Sequence, residues 1–481
     1  MEMPLIISLV ILFSIAEVST HQCAMRLERH YWERSSRINC YSKNLTAVPF
    51  FGKIGETLSE IDLTYNSIRG IPAGAFMNIK TRKLCLYSNK IQRLSPDAFE
   101  GLEDTLEVLL LGWNNMTEVP SRSLANMTKL TWLQLSNNNI NSVKKEFSKI
   151  GRFIKRLELE SNELSRFPLR AADLPMLEEL NLKENKISNL HGFGYHLKLR
   201  KLILNWNNFD RVPKFNKYVP RLQELFLNGN NIRHIRANSF KGLRLTSLSI
   251  GDQNIDLITK NAFRGLESSL VSLWISSANL TSFPYRSIKG LRRLKYLYLQ
   301  NNRIQSIKLS TLRYFPKLYY LGLEGNELTE IPVEPLKQAG PTLREVNLAK
   351  NKIRSIPWSF TNMTQLTRMY LNHNQLTTIP ARAFYGLDKM ILDVRFNNIH
   401  VLDPCLMNAK TPTMVLDGNP LHCDCTVYWL AYAGKINKQS VNLRCSSPEI
   451  VQGKSLKNIP WSFWRCSKYD REKMLRMVKC Y

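Results

Sequence analysis

After its first sixteen residues the chain has no apolar run long enough to cross a bilayer. It has no G-x-S-x-G elbow, no H-E-x-x-H helix, no Walker loop and no dinucleotide fingerprint. Those are the spacings that would announce hydrolysis, metal-assisted proteolysis or nucleotide chemistry. A non-enzymatic protein with no cofactor and no metal site is expected. Acidic residues are few: 39 Asp and Glu stand against 67 Lys and Arg, a net charge of +28. With 44 % hydrophobic and 22 % charged residues the chain is nonetheless a folding one and not a disordered one.

The positive start of a secretory signal is also missing, because Glu2 stands there. The apolar run from Pro4 to Ile15 still reads as a signal peptide over residues 1–20, with cleavage after 16 or 20 beside small residues. It is too short for a comfortable membrane anchor. The C-terminal REKMLRMVKCY is basic and not a lipid-anchor signal. A secreted protein of the extracellular space or matrix is expected, with no membrane span and no nucleic-acid partner. Glycosylation triplets at Asn44, Asn115, Asn126, Asn279 and Asn362 suit that route.

What the chain does have is a period. L-x-x-L-x-L-x-x-N-x-L recurs sixteen times from Leu58 to Leu421, with 22 to 25 residues between successive asparagine slots. The slots run from Asn66 through Asn302 to Asn419, and only Gln253 and Ala278 depart from asparagine. Each repeat should form one short strand, x-L-x-L-x, with leucines inward and the x residues outward. The chain then turns, leaving backbone groups inside that an asparagine amide can satisfy as donor and acceptor. No repeat buries its leucines alone, so stacking closes the core and the ends need caps.

With segments such as IPAGAF (71–76), LSPDAF (94–99) and IPARAF (379–384), the sequence resembles the extracellular leucine-rich-repeat proteins of the 24-residue type. The resemblance implies an α/β-type solenoid, a horseshoe with a concave parallel β-sheet and disulfide-bonded caps. It divides the chain into an N-terminal cap (21–57), repeats (58–421), a cysteine-rich C-terminal cap (422–466) and a basic tail (467–481). The C-terminal C-x-C-x19-C-x20-C after LDGNPLHCDC resembles the family's cap, which implies Cys423–Cys445 and Cys425–Cys466 pairing. Zinc is less suited to Cys-x-Cys in an oxidising compartment. At the other end INCYSKNLTAVP looks like the end of an N-terminal cap. It departs from the family's four cysteines, and a single Cys23–Cys40 bridge is expected. Cys405 pairs with Cys480, or Cys480 joins a second chain. Cys85, between Leu84 and Leu86, is expected on the concave surface, as an inert thiol or in an intermolecular disulfide. VLDPC (401–405) and IPWSFWRC (459–466) are similar, more distantly, to the non-catalytic subunit of luciferin 2-monooxygenase, and the repeats to Slit-type repeats.

The family binds proteins on its concave face, which the period identifies. Phe226, Trp274, Tyr296, Tyr298, Tyr320 and Tyr370 fall on outward strand positions. At about 4.8 Å per strand they would span a band roughly 30 Å long. Exposed aromatics mark interfaces, so an extracellular protein ligand on this face is the leading expectation. The same face carries ten acids against six bases, so the basic excess must lie elsewhere. Arg69, Arg93, Arg166, Arg211, Arg233 and Arg354 follow their ladder positions along one edge, and eleven bases face four acids from His422 onward. That surplus could hold sulfated glycans, a second function in adhesion, or an anionic membrane surface, or be no more than a basic soluble surface; a third function is a non-catalytic subunit of an extracellular enzyme complex. Glu158 and Glu160 on one strand could attract a cation, and HGFGYH (191–196) is read as an exposed turn. Ala278 cannot hydrogen-bond its turn, and a slight change of curvature beside Trp274 is expected from it.

Overall fold

The computed structural model describes residues 23–464, apart from 31–32, 144–146, 168–170, 216–217, 358–359, 361–362, 408–409, 433–434, 437–442 and 460–463. The described residues form two compact units, one within 23–164 and 171–177, the other within 165–167 and 178–464.

In the first unit a hairpin of Ala24–His30 and Glu33–Asn39 pairs antiparallel, and Cys23 is bonded to Cys40. The second hairpin strand then runs parallel to Glu60–Asp62, the strand of repeat one. Four further strands follow in register, Lys83–Cys85, Val108–Leu110, Trp132–Gln134 and Arg156–Glu158. The second unit continues the same plan from Glu179–Asn181 through Tyr296–Tyr298 to Thr413–Val415, each strand parallel to the next. Only three residues of each repeat pair this way, because the chain turns immediately afterwards. The central residue of each strand, Leu133 or Leu297 for example, is fully buried, as is the second leucine, Leu135 or Leu299.

The asparagine ladder explains why the turns close. Each ladder side chain is buried. The Asn326 amide donates to Leu299 O at 2.9 Å in the preceding repeat and to Leu323 O at 3.0 Å in its own. Its oxygen accepts from the Ile304 N–H at 3.0 Å. Every residue just before a ladder position has a left-handed backbone, with φ between +50° and +74°. For an L-residue this costs about 1 kcal/mol, which the buried hydrogen bonds of the ladder offset.

Opposite the strands the repeats run through turns and short helical pieces, of which Val333–Ala339 is the longest between the caps among the described residues. Phenylalanines stack there in files: Phe51 on Phe76 at 6.1 Å, Phe76 on Phe99 at 6.2 Å and Phe360 on Phe384 at 5.0 Å. These rings fill the side of the core that the leucines leave open. At the far end Cys423 is bonded to Cys445, and a helix spans Cys425–Tyr432. The last strand's Met414 N–H donates to Lys435 O at 2.8 Å, so the cap covers an edge that would otherwise be open for pairing. Cys405 and Cys425 are also disulfide-bonded; Cys466 and Cys480 lie outside the described residues. No helix among the described residues is long and apolar enough to cross a membrane.

The ladder survives its two exceptions. Gln253 keeps the full pattern, accepting from Ile232 N–H at 2.9 Å and donating to Leu227 O and Ile250 O at 3.1 and 2.9 Å. At Ala278 the backbone substitutes: the Ile255 N–H turns to Ala278 O at 3.1 Å. Asn302 takes up both neighbours, accepting from Ala278 and Leu280 N–H at 3.0 Å each and donating to Ile275 O at 2.8 Å. Strand register runs unbroken through repeats nine, ten and eleven.

Candidate functional site: the aromatic strand face

In the second unit the strands Ser272–Trp274, Tyr296–Tyr298 and Tyr320–Gly322 lie side by side with Ser272, Tyr296 and Tyr320 in one column and Trp274, Tyr298 and Gly322 in the next. Strand alternation sends all of these away from the leucine core. Trp274 and Tyr298 stack in parallel, ring centres 4.8 Å apart and planes 5° apart. Tyr298 meets Tyr320 at 4.8 Å, tilted by 35°. Gly322 makes that contact possible: a Cβ there would lie 2.6 Å from Gln300 Nε2 and 3.0 Å from the Tyr320 ring. Gln300 is fixed by the Ser276 hydroxyl, which donates to Oε1 at 2.9 Å. Tyr296 packs on Tyr319 at 5.7 Å. The rings of the file stay half-buried, and Tyr319 is exposed.

Two of the six expected aromatics stand apart. Phe226 is separated from Trp274 by the repeat-nine strand Ser247–Ser249, whose Ser249 is buried and donates to Asn228 Oδ1 at 2.7 Å. Lys201 approaches the Phe226 ring at 5.8 Å. Tyr370 is set off by Glu345–Asn347. The contiguous patch is therefore Trp274, Tyr296, Tyr298, Tyr319 and Tyr320. Tyr319 was missed because it precedes the paired strand; its only signal was adjacency to Tyr320.

Burial pushes the Tyr298, Tyr320 and Tyr370 phenols above their ordinary range, with Glu345 close enough to add to each shift. All three stay neutral donors at physiological pH. Around them the acids are met by bases: Glu324 contacts Lys350 at 2.7 Å and the Asn347 amide at 3.0 Å, and Glu345 contacts Arg368 at 3.9 Å. The Lys350 ammonium holds the Glu324 carboxyl below its usual range. The patch is thus neutral, aromatic and rimmed by paired charge, which suits packing against a partner surface rather than bond-making chemistry.

Three other expectations change on inspection. Cys85 does face the same side as Asp62 and Leu110, but it is only 5 % exposed and its thiol donates to Glu60 Oε1 at 3.1 Å. Burial and the Glu60 carboxylate raise the thiol far above its normal range, so neither an exposed thiol nor a bridge to a second chain fits. His196 is not in an exposed turn. It is 2 % exposed, 4.6 Å from the Phe193 ring and 6.0 Å from Phe167, and burial pushes it down to about 4. Glu158 is taken by Arg156 at 2.6 Å and by the Trp132 indole N–H at 3.1 Å, so the acidic pair is not free for a cation.

Asn44, Asn115, Asn126 and Asn279 are exposed, Asn115 and Asn279 directly after a ladder residue; Asn362 lies outside the described residues. Of the edge arginines, Arg211 pairs with Asp210 at 2.9 Å, Arg233 with Asp256 at 2.8 Å and Arg354 with Gln375 at 3.2 Å.

Residues 56–104, 220–269, 268–328 and 341–399 match the leucine rich repeat family. Keratocan of Mus musculus is 31 % identical over 155 residues, which cover 31 % of this chain and 43 % of keratocan. Leucine-rich repeat transmembrane protein FLRT2 of Rattus norvegicus is 28 % identical over 205 residues, covering 41 % of this chain and 30 % of that protein. The chain thus spans less than half the length of either relative. Among solved structures the mouse RP105/MD-1 complex contains a chain similar at a TM-score of 0.62 and 20 % identity, covering 85 % of this chain and 75 % of that one. That likeness concerns the fold alone. Period, ladder, parallel strands and the four matching segments agree on the leucine-rich-repeat fold.

Proposed function

We propose that this is an extracellular recognition protein that seats a protein ligand on the aromatic strand face, with Trp274 and Tyr298 at the centre of the contact. The observation that carries the reading is the parallel Trp274–Tyr298 stack, half-exposed on a face where the fold demands no aromatic. Large, rigid rings give contact area at low entropic cost and dominate interface energies. Bonded cysteines at both ends of the chain and the similarity to keratocan support an extracellular setting.

The test is capture of extracellular proteins by the intact chain and by a Trp274→Ala, Tyr298→Ala variant. A partner that binds the first and is lost from the second, at unchanged thermal midpoint, supports the reading. Retention of every partner by the variant overturns it.

A further inference from the structure

On the side of the second unit away from the strand face, the stretches 210–215 and 234–243 of repeats seven and eight border a cleft of about 640 Å³. Its inner wall is apolar and closed, with Val212, Phe215 and Leu243 buried. Its rim is basic: Arg211, Lys214, His234, Arg236 and Lys241. A single acid, Asp210, lines it, and both its oxygens are occupied by Arg211, at 2.9 Å each.

The rim differs from the strand face in how its bases are met. On the strand face Lys201 has Glu224 at 3.7 Å, Lys350 has Glu324 at 2.7 Å, and Arg395 has Asp393 at 2.7 Å. Lys214, Arg236 and Lys241 have no carboxylate within reach among the described residues. Like charges gathered over a low-dielectric wall repel one another and focus a positive potential into the recess. An anion entering it relieves that repulsion.

We infer that this cleft is a binding site for a sulfated polysaccharide, independent of the aromatic face. Three features select that ligand class. The bases come from two successive repeats and line a groove, so they meet a chain bearing several anionic groups. No large apolar side chain of the lining is exposed, so nothing is offered for insertion into a lipid surface. Lys214, Arg236 and Lys241 offer hydrogen-bond donors and no acceptor, which suits sulfate oxygens.

The test uses the full chain and a heparin-derived octasaccharide in calorimetry at physiological salt, against Lys214→Gln, Arg236→Gln, Lys241→Gln as one triple variant. A second triple variant, Arg292→Gln, Lys295→Gln, Lys317→Gln, removes the same charge from exposed positions in other repeats. All six side chains lie on the surface, so both variants should keep the native thermal midpoint. The cleft variant is expected to bind at least roughly tenfold more weakly, and the control within about twofold of the original. Fully desulfated octasaccharide should not bind, and the Trp274→Ala, Tyr298→Ala variant should bind the sulfated form normally. Equal loss in both triple variants, no loss in the cleft variant, or binding to phosphatidylserine vesicles with none to the octasaccharide would overturn the assignment.

Discussion

Among the described residues two tryptophans project from strand faces, Trp132 in the first unit and Trp274 in the second, and their surroundings differ. Trp132 is used by its own neighbours. The Arg156 guanidinium lies 4.2 Å from its ring centre, and its indole N–H donates to Glu158 at 3.1 Å. Trp274 stacks one face on Tyr298 at 4.8 Å, and its N–H has no acceptor among the described residues. The first ring is locally satisfied; the second keeps a donor and apolar surface in reserve. An outward aromatic therefore points to an interface only when its own chain leaves it something to offer.

The largest effect should come from removing the open ring and its stack. Trp274→Ala with Tyr298→Ala should weaken ligand binding by about 4 kcal/mol, measured by surface plasmon resonance once a partner is in hand. Trp132→Ala should leave that affinity unchanged; equal losses at the two sites would erase the contrast. Next is the support beneath the open ring. Asn302→Ala strips the two N–H groups of repeat ten of their acceptor and should lower unfolding stability by about 3 kcal/mol. Asn138→Ala, in the unit of Trp132, has an intact ladder neighbour on each side and should cost less in the same urea titration.

A third ring tests the enclosed extreme. His196, held between Phe193 and Phe167, has its pKa lowered to about 4, so on acidification the unfolded chain takes up the proton first. Its contribution is complete above pH 6.5 and is lost as pH falls from 6.5 to about 4. The whole loss is at most about 3 kcal/mol. His196→Leu should flatten that part of the stability profile, and an unchanged slope would show that the enclosure is not what depresses the group. The smallest effect is expected at Arg156→Ala. It should cost less than about 1 kcal/mol of stability yet make Trp132 fluorescence more accessible to acrylamide.

Much of this was legible in the chain because a period repeats its own evidence. Leu297, Leu299 and Asn302 are read correctly from spacing, since the same three roles recur in the other repeats. What spacing could not give is the height of neighbouring side chains above the sheet. Cys85 has an outward position, but Glu60 and Lys83 arch over it and pair at 2.8 Å. Phe226 and Tyr370 share a column with Trp274 and Tyr298, yet Ser249 and Asn347 interrupt the file. His196 sits in a spacer with no periodicity, and its burial depends on Phe167 from the preceding repeat. The loss of asparagine at Ala278 was visible, but its repair by the Ile255 and Asn302 hydrogen bonds was not, because backbone groups carry no sequence signal.

The left-handed residue before each ladder position has a consequence for variation. It fixes the direction of one side chain per turn while leaving its identity free: Tyr65, Trp113, Trp206 and Phe396 occupy it half-exposed, and so do serine, lysine and glycine. Some of these rings already claim the next turn, since a Cβ at Gly229 would lie 2.4 Å from the Trp206 ring and one at Gly418 equally close to Phe396. Within each unit such positions form a row of interchangeable sockets, where a new side chain can be tried without touching a leucine or a ladder amide, provided the following socket is kept small when the new one is large.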